Sequence, residues 1–215
     1  MSQSNSVVTV DLTQDVICPW CRIGHHNLRV ALRQMPGANV TVNLHPYLLD
    51  PSVPPEGVDL RARLAERYGA TQLEAMFDRV TQTGASYGLK FDFAKIRRTP
   101  DTAISHALIL AAPLATQSDL LDIIHREYFE AGADIGNSAV LQACWQEAGL
   151  PIAEAVDALA DMGARVRVRQ LAAAAARTGM NGVPHFELHG AGGNVVLQGG
   201  QAPATILAAL KKVAG

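Results

Sequence analysis

Cys18 and Cys21 stand two residues apart in the stretch Asp15-Val16-Ile17-Cys18-Pro19-Trp20-Cys21, where a short apolar run meets a helical pattern. Cysteines at that spacing suit a redox dithiol or half of a metal site. The junction favours redox chemistry. A cysteine at the first turn of a helix faces backbone N–H groups with no intrahelical partner and the positive end of the helix dipole, and both stabilise thiolate, the nucleophilic form. Cys18 is therefore the expected attacking thiol. Pro19 fits the first helical position, where its missing N–H is harmless, and Cys21 falls one turn on, within reach of a disulfide to Cys18.

A metal reading would add His25 and His26 to the two thiols. Four ligands from one helix do not converge readily on one tetrahedral ion, so no metal is expected. On helical spacing His25 follows Cys21 by four residues, and a solvated surface position is expected for at least one of the two histidines. Cys144 shares a helical face with Val140, Leu141 and Ala148 and reads as a small buried hydrophobe. Trp145, Tyr128 and Phe129 read as packing residues.

Two strands must flank such a helix. Val7 to Leu12 is short and β-branched, Thr13-Gln14-Asp15 reads as a polar turn, and Val40 to Leu44 alternates as a second strand after Pro36-Gly37. This β-α-β order favours parallel strands. Residues 50–57 are a proline-rich connection, after which the next hundred residues carry no convincing strand signal. About five helices are expected there. Their starts are read at Thr71 to Glu74 as a capping box, at Thr99-Pro100, at Asn137 and at Pro151, and the last is the alanine-rich segment from about 164 to 177. Strands return at Pro184 to Leu188 and Asn194 to Leu197, joined by a glycine turn as an antiparallel hairpin, before a last helix from Pro203 to Val213. The expected class is α/β, with a discontinuous domain over 1–57 and 161–215 and an all-helical insertion domain over 58–160.

The 215 residues are 48% hydrophobic, with 18 Lys and Arg intermixed with 20 Asp and Glu. That suffices for one sizeable core with an insertion. It leaves no basic footprint for nucleic acid or an anionic membrane surface. No charged and apolar leader opens the chain and no run of about eighteen apolar residues occurs, so a cytoplasmic protein is expected. Three cysteines do not make a disulfide framework for a secreted domain.

Taken together, the dithiol, Tyr128 to Gly136, Gly182-Val183-Pro184 and Gln198 to Gln201 resemble, in order along nearly the whole chain, the thioredoxin-fold proteins of the DsbA superfamily, specifically the FrnE-like oxidoreductases. The resemblance implies a thiol-disulfide oxidoreductase, reducing or isomerising protein or peptide disulfides through a mixed disulfide on Cys18. It implies no cofactor, and glutathione as a possible small partner. Pro184 matches a cis-proline packed beside the dithiol, and the backbone of Val183 matches the segment that pairs with substrate. Pro19 and Trp20 support the site. The buried acid that thioredoxin-like proteins often carry six residues before the first cysteine is replaced by Leu12. Asp15 fits the narrower family pattern or a plain turn residue, and His185 stands where an aromatic is usual; both are candidates for tuning the dithiol. Scaled from thioredoxin near −270 mV, the potential is expected at roughly −240 to −210 mV, within reach of a glutathione pool. Two rivals share parts of the pattern: kappa-class glutathione transferases and 2-hydroxychromene-2-carboxylate isomerases, which generally carry serine at the position of Cys18, and a redox-inert binding or chaperone module.

Overall fold

The structure is a computed structural model and describes residues 7–215. Strand β1 (Val8–Gln14) runs parallel to β2 (Val40–Pro46), and helix α1 (Pro19–Arg33) connects them. On its other edge β1 pairs antiparallel with β5 (His185–Gly190), which turns into β6 (Gly193–Gln198), so the strand order is β2-β1-β5-β6. Val8, Val10 and Leu12 of β1 are buried with Leu28 and Ala31 of α1 and with Ile206 and Leu210 of α9 (Pro203–Ala214), which form the core of this unit. Thr13 and Gln14 belong to β1 rather than to a turn. Pairing continues through them because Thr13 lies between His45 of β2 and His185 of β5, and both residues are buried. The chain turns at Asp15, directly before Cys18.

Between β2 and β5 the chain forms seven α-helices among the described residues: α2 (Leu60–Tyr68), α3 (Leu73–Ala85), α4 (Ala103–Ala111), α5 (Leu114–Arg126), α6 (Ser138–Glu147), α7 (Ile152–Ala160) and α8 (Met162–Ala176). The expected five were too few. The two not foreseen are α2 and α5, the latter opened by Pro113 where the sequence pattern reads as continuous, whereas Pro151 opens α7 as expected and Asp161 caps α8 close to its expected start. A two-residue antiparallel ladder, β3 (Val58–Asp59) with β4 (Arg98–Thr99), also interrupts the helical region. Thr99 therefore pairs in a strand instead of capping a helix, and Asp101 Oδ1 takes the Ala103 N–H at 3.1 Å. The capping box at Thr71 does not form: a 3-10 turn covers Ala70–Gln72, and Glu74 reaches Arg61 at 2.5 Å. Asn137 does cap α6, accepting the Ala139 N–H at 2.8 Å.

Beneath α3 the insertion closes on an aromatic cluster. Phe77 stacks on Phe93 at 4.2 Å between ring centroids, and Phe91 meets Phe129 edge-on at 5.1 Å. One arginine from α1 reaches into this cluster: Arg22 is buried, lies 4.8 Å over Phe91, donates to the Lys90 carbonyl at 2.6 Å and pairs with Glu130. The first turn of α1 is thereby fixed to the insertion as well as to the sheet.

Candidate active site

Cys18 caps the N-terminus of α1 in an extended conformation, with Pro19 in the first turn. Its N–H donates to the Asp15 carbonyl at 3.0 Å, and its own carbonyl receives the N–H groups of Cys21 and Arg22 at 3.0 and 3.1 Å. These bonds hold the Cys18 sulfur at the positive end of the helix. Cys21, one turn inside, is fully buried, and both residues are free thiols. Burial pushes the Cys21 thiol well up; its hydrogen bond with the Cys18 thiol and the Cys18 and Asp15 charges act in the same direction. At neutral pH Cys21 holds its proton.

The loop before β5 brings the second half of the site. The Val183–Pro184 peptide bond is cis, and the Val183 carbonyl lies 3.7 Å from the Cys18 sulfur. Pro184 is buried, and its carbonyl accepts the Gly199 N–H at 2.8 Å, which ties the loop to the end of the hairpin. On the opposite side Gly24 allows α1 to close on this loop: a Cβ there would lie 2.8 Å from Pro184 Cγ and 3.1 Å from Phe186 Cζ. Such spacing admits only hydrogen at that position.

Cys18, Pro19, Trp20, Gly182 and Val183 form one wall of a cleft of about 440 Å³ whose other wall belongs to the insertion. Leu60, Leu64, Phe77, Phe93 and Ile96 make that wall apolar. Arg63, Arg67 and Arg79 sit among the lining residues. Arg63 is engaged by Asp50 at 2.7 Å, whereas Arg79 is exposed and lies 5.7 Å over the Trp20 ring.

Cys18, Cys21, Pro19, Trp20, Val183 and Pro184 thus converge in space. Asp15 is adjacent and fully buried: Oδ2 accepts the Leu49 N–H at 2.7 Å, and Oδ1 lies 3.3 Å from His106 Nε2. His185 begins β5, with its Nε2 3.3 Å from Glu187 Oε1 and its Nδ1 buried without a hydrogen-bond partner among the described residues. His25 is fully buried against Ser118 Oγ at 2.8 Å and its pKa is held down to about 3 by burial, while His26 is half-buried. Cys144 is buried against Leu141 and Trp145 in α6, far from these thiols in sequence, and burial pushes its pKa up to about 12. His106 and Arg22 were missed by the sequence reading: neither stands in a recognisable spacing with the cysteines, and only the folded insertion brings His106 to Asp15. Among the described residues no group of three or more His, Cys, Asp and Glu side chains is placed to hold a metal ion.

Solved structures of similar fold were found along nearly the whole chain. A probable DsbA oxidoreductase from Streptomyces coelicolor is 27% identical, with a TM-score of 0.79 over 96% of this chain and 89% of that one. The cytosolic disulfide reductase DsbM from Pseudomonas aeruginosa, solved with GSH, is 24% identical, with a TM-score of 0.66 over 94% and 97% of the two chains. A 2-hydroxychromene-2-carboxylate isomerase is 15% identical, with a TM-score of 0.66 over 95% of each chain, a likeness of fold alone. Comparison with curated proteins gives no match. The sequence from residue 9 to 211, which spans β1 to α9 and includes both cysteines and the Val183–Pro184 loop, matches the DSBA-like thioredoxin domain, and the chain belongs to that family.

Proposed function

We propose that this protein is a cytoplasmic thiol-disulfide oxidoreductase of the FrnE-like kind, acting on protein or peptide disulfides as a reductase or isomerase. One observation carries the reading: a thiol at a helix N-terminus, 3.7 Å from the carbonyl of a cis X-Pro bond, opens on a cleft while its partner thiol is buried one turn inside. In the reducing direction the Cys18 thiolate attacks one sulfur of the substrate disulfide and the other leaves as thiolate. Cys21 then displaces the substrate from Cys18, closing the Cys18–Cys21 disulfide. Isomerisation uses the first step, with the substrate's own thiol resolving the intermediate. No prosthetic group takes part.

The Val183 backbone is in place to pair with the chain flanking the substrate disulfide, and the apolar wall of the cleft offers burial to a neighbouring side chain. Glutathione fits as the small thiol that returns the protein to its dithiol form; the DsbM structure that carries GSH supports this, as do the arginines of the cleft. The intact cysteine pair supports a redox role over the isomerase chemistry of the 2-hydroxychromene-2-carboxylate isomerase neighbour.

Equilibration of the purified protein against glutathione buffers, followed by thiol trapping, tests the direction. A midpoint of roughly −240 to −210 mV agrees with a reductase or isomerase. A midpoint more oxidising than about −150 mV would make it a net oxidase and contradict the proposed direction.

A further inference from the structure

The polar side chains that line the cleft beside Cys18 are, with one exception among the buried ones, already engaged within the protein. The Tyr128 hydroxyl donates to the Arg98 carbonyl at 3.1 Å, and the Cys18 thiol reaches the Val183 carbonyl at 3.7 Å. Asp50 and Arg63, both partly buried, hold each other at 2.7 Å. The exception is Thr99. It lines the cleft from β4 and is 4% exposed, yet its hydroxyl has no hydrogen-bond partner among the described residues. Its backbone is fixed by the short ladder in which it pairs with Val58. A buried hydroxyl without a partner weakens a fold, and a valine of the same shape would carry no such cost, so this one calls for a use.

The walls that share the cleft with Thr99 are aromatic and branched. Phe77 stacks on Phe93 at 4.2 Å, Phe129 stands edge-on to Phe93 at 6.3 Å, and Leu64 and Ile96 line the same wall. Flat apolar faces with one unpaired hydroxyl suit a side chain that has an apolar ring and a polar tip. Tyrosine has that shape. Its phenol both donates and accepts, so it pairs with a threonine hydroxyl in either sense. Phenylalanine would leave Thr99 unpaired, and a charged side chain would meet no uncommitted counter-charge on the apolar wall. The cleft, at about 440 Å³, has room for such a ring together with the chain that carries it.

We propose that Thr99 is a specificity-determining residue, and that the cleft takes the side chain of a tyrosine standing next to the substrate cysteine under attack, its phenol paired with Thr99 Oγ1. This rests on the dithiol reading above and gives it a substrate class: peptide and protein disulfides flanked by tyrosine. Cys18 and Val183 line the same cleft as Thr99, so a chain held at the sulfur and along the Val183 backbone presents its neighbouring side chain to the insertion. The thiol-disulfide steps themselves are unchanged. Tyrosine contributes binding and orientation while Cys18 attacks. Thr99 weakens the empty cleft and gives selectivity to the filled one.

The test is the second-order rate at which the reduced full chain is oxidised by symmetrical peptide disulfides, followed by thiol trapping and mass analysis. The peptides are Gly-Tyr-Cys-Gly and Gly-Cys-Tyr-Gly, with counterparts carrying phenylalanine or alanine in place of tyrosine. All are acetylated and amidated, which removes the terminal charges that the exposed Arg67 and Arg79 would attract. In the wild type the better tyrosine peptide should react about fivefold faster than its phenylalanine counterpart and about tenfold or more faster than its alanine counterpart. Thr99→Ser should keep the preference for tyrosine over phenylalanine, and Thr99→Val should bring that ratio to within about twofold of unity. If Thr99→Val does not fold, Thr99→Ala removes the same hydroxyl and is read by the same ratio. Equal rates on the tyrosine and phenylalanine peptides in the wild type would overturn the proposal, as would an undiminished tyrosine preference once the hydroxyl is gone. Wild-type protein that reacts with 2-hydroxyethyl disulfide but shows no preference among the peptides defeats this inference alone. Wild-type protein that reacts with none of these disulfides defeats the dithiol reading and this inference with it.

Discussion

Gly24 and Pro184 are in contact across the site: the α carbon of one faces the ring of the other with so little space that a Cβ on Gly24 would come within 2.8 Å of Pro184 Cγ. Glycine in a helix interior costs about 1 kcal/mol relative to alanine. Here that cost is accepted because close approach sets the distance between α1 and the loop that presents Val183.

Gly24→Ala should therefore be harmful despite its better helix propensity. Overpacking of this kind costs about 1 to 3 kcal/mol, so a net loss of up to about 2 kcal/mol is expected after the propensity gain. Disulfide reduction should fall by tenfold or more, since the new methyl displaces the loop rather than the thiol. Urea denaturation together with a turnover assay checks both; a stabilised and fully active variant would show that the contact is slack.

The three thiols should react unequally. Burial holds both Cys21 and Cys144 in the thiol form, whereas Cys18 faces a helix N-terminus and opens on the cleft. In reduced protein at pH 7, an alkylating agent should label Cys18 at least tenfold faster than either of the others, as read by peptide mapping over time. Preferential labelling of Cys144 would contradict the assignment.

How much of this was legible in the sequence depended on how local the cause was. Cys18, Pro19 and Cys21 are placed by a helix start that the seven residues Asp15 to Cys21 encode, and the β-α-β opening and closing hairpin follow from short-range patterns. The insertion was read as helical, but α2 was missed and Pro113 divides α4 from α5 where the apolar pattern runs on, a break that only packing distinguishes. Asp15 could be read from sequence as a turn residue or as a family feature. Its pairing with His106 spans 91 positions and had no sequence signal. Arg22 carried no sequence signal, and a surface position was expected for at least one of His25 and His26; α1 is enclosed by the insertion on that side, so Arg22 and His25 are buried while His26 is half-buried.

Arg22 should matter as a buried cation with three kinds of contact. Removing it leaves Glu130 and the Lys90 carbonyl without their partner and takes a guanidinium from the Phe91 face. Loss of one partner from a buried pair typically costs about 3 to 5 kcal/mol; because Glu130 is 32% exposed, about 2 to 3 kcal/mol is expected for Arg22→Met. Double substitution with Glu130→Gln should recover part of that loss, and strict additivity of the two changes would show that the pair is not coupled.

Acid should destabilise the fold well before its carboxylates titrate. His25 is held down to about 3 and His125 is also lowered, each chiefly by burial. Both are neutral in the native state and charge on unfolding, so the unfolded chain binds more protons below about pH 6.5. Their contribution is complete above that pH and is lost as pH falls towards 3, at about 1.4 kcal/mol per pH unit for each histidine. Between pH 8 and pH 5 the loss should reach about 4 kcal/mol, and His125→Leu should halve the slope. Urea midpoints across this range measure it. Asp50, held down to about 2 by Arg63, adds to the loss only at more acidic pH.

The most direct measurement is the position of the covalent adduct. Cys21→Ala protein treated with one equivalent of a small peptide disulfide, then digested and mapped without reductant, should carry the peptide on Cys18 in nearly every molecule, and wild-type protein should release it as Cys21 closes the disulfide. An adduct on Cys144, or equal accumulation of adduct in the wild type and in Cys21→Ala, would contradict the assignment of Cys18 as the attacking thiol and Cys21 as the resolving one.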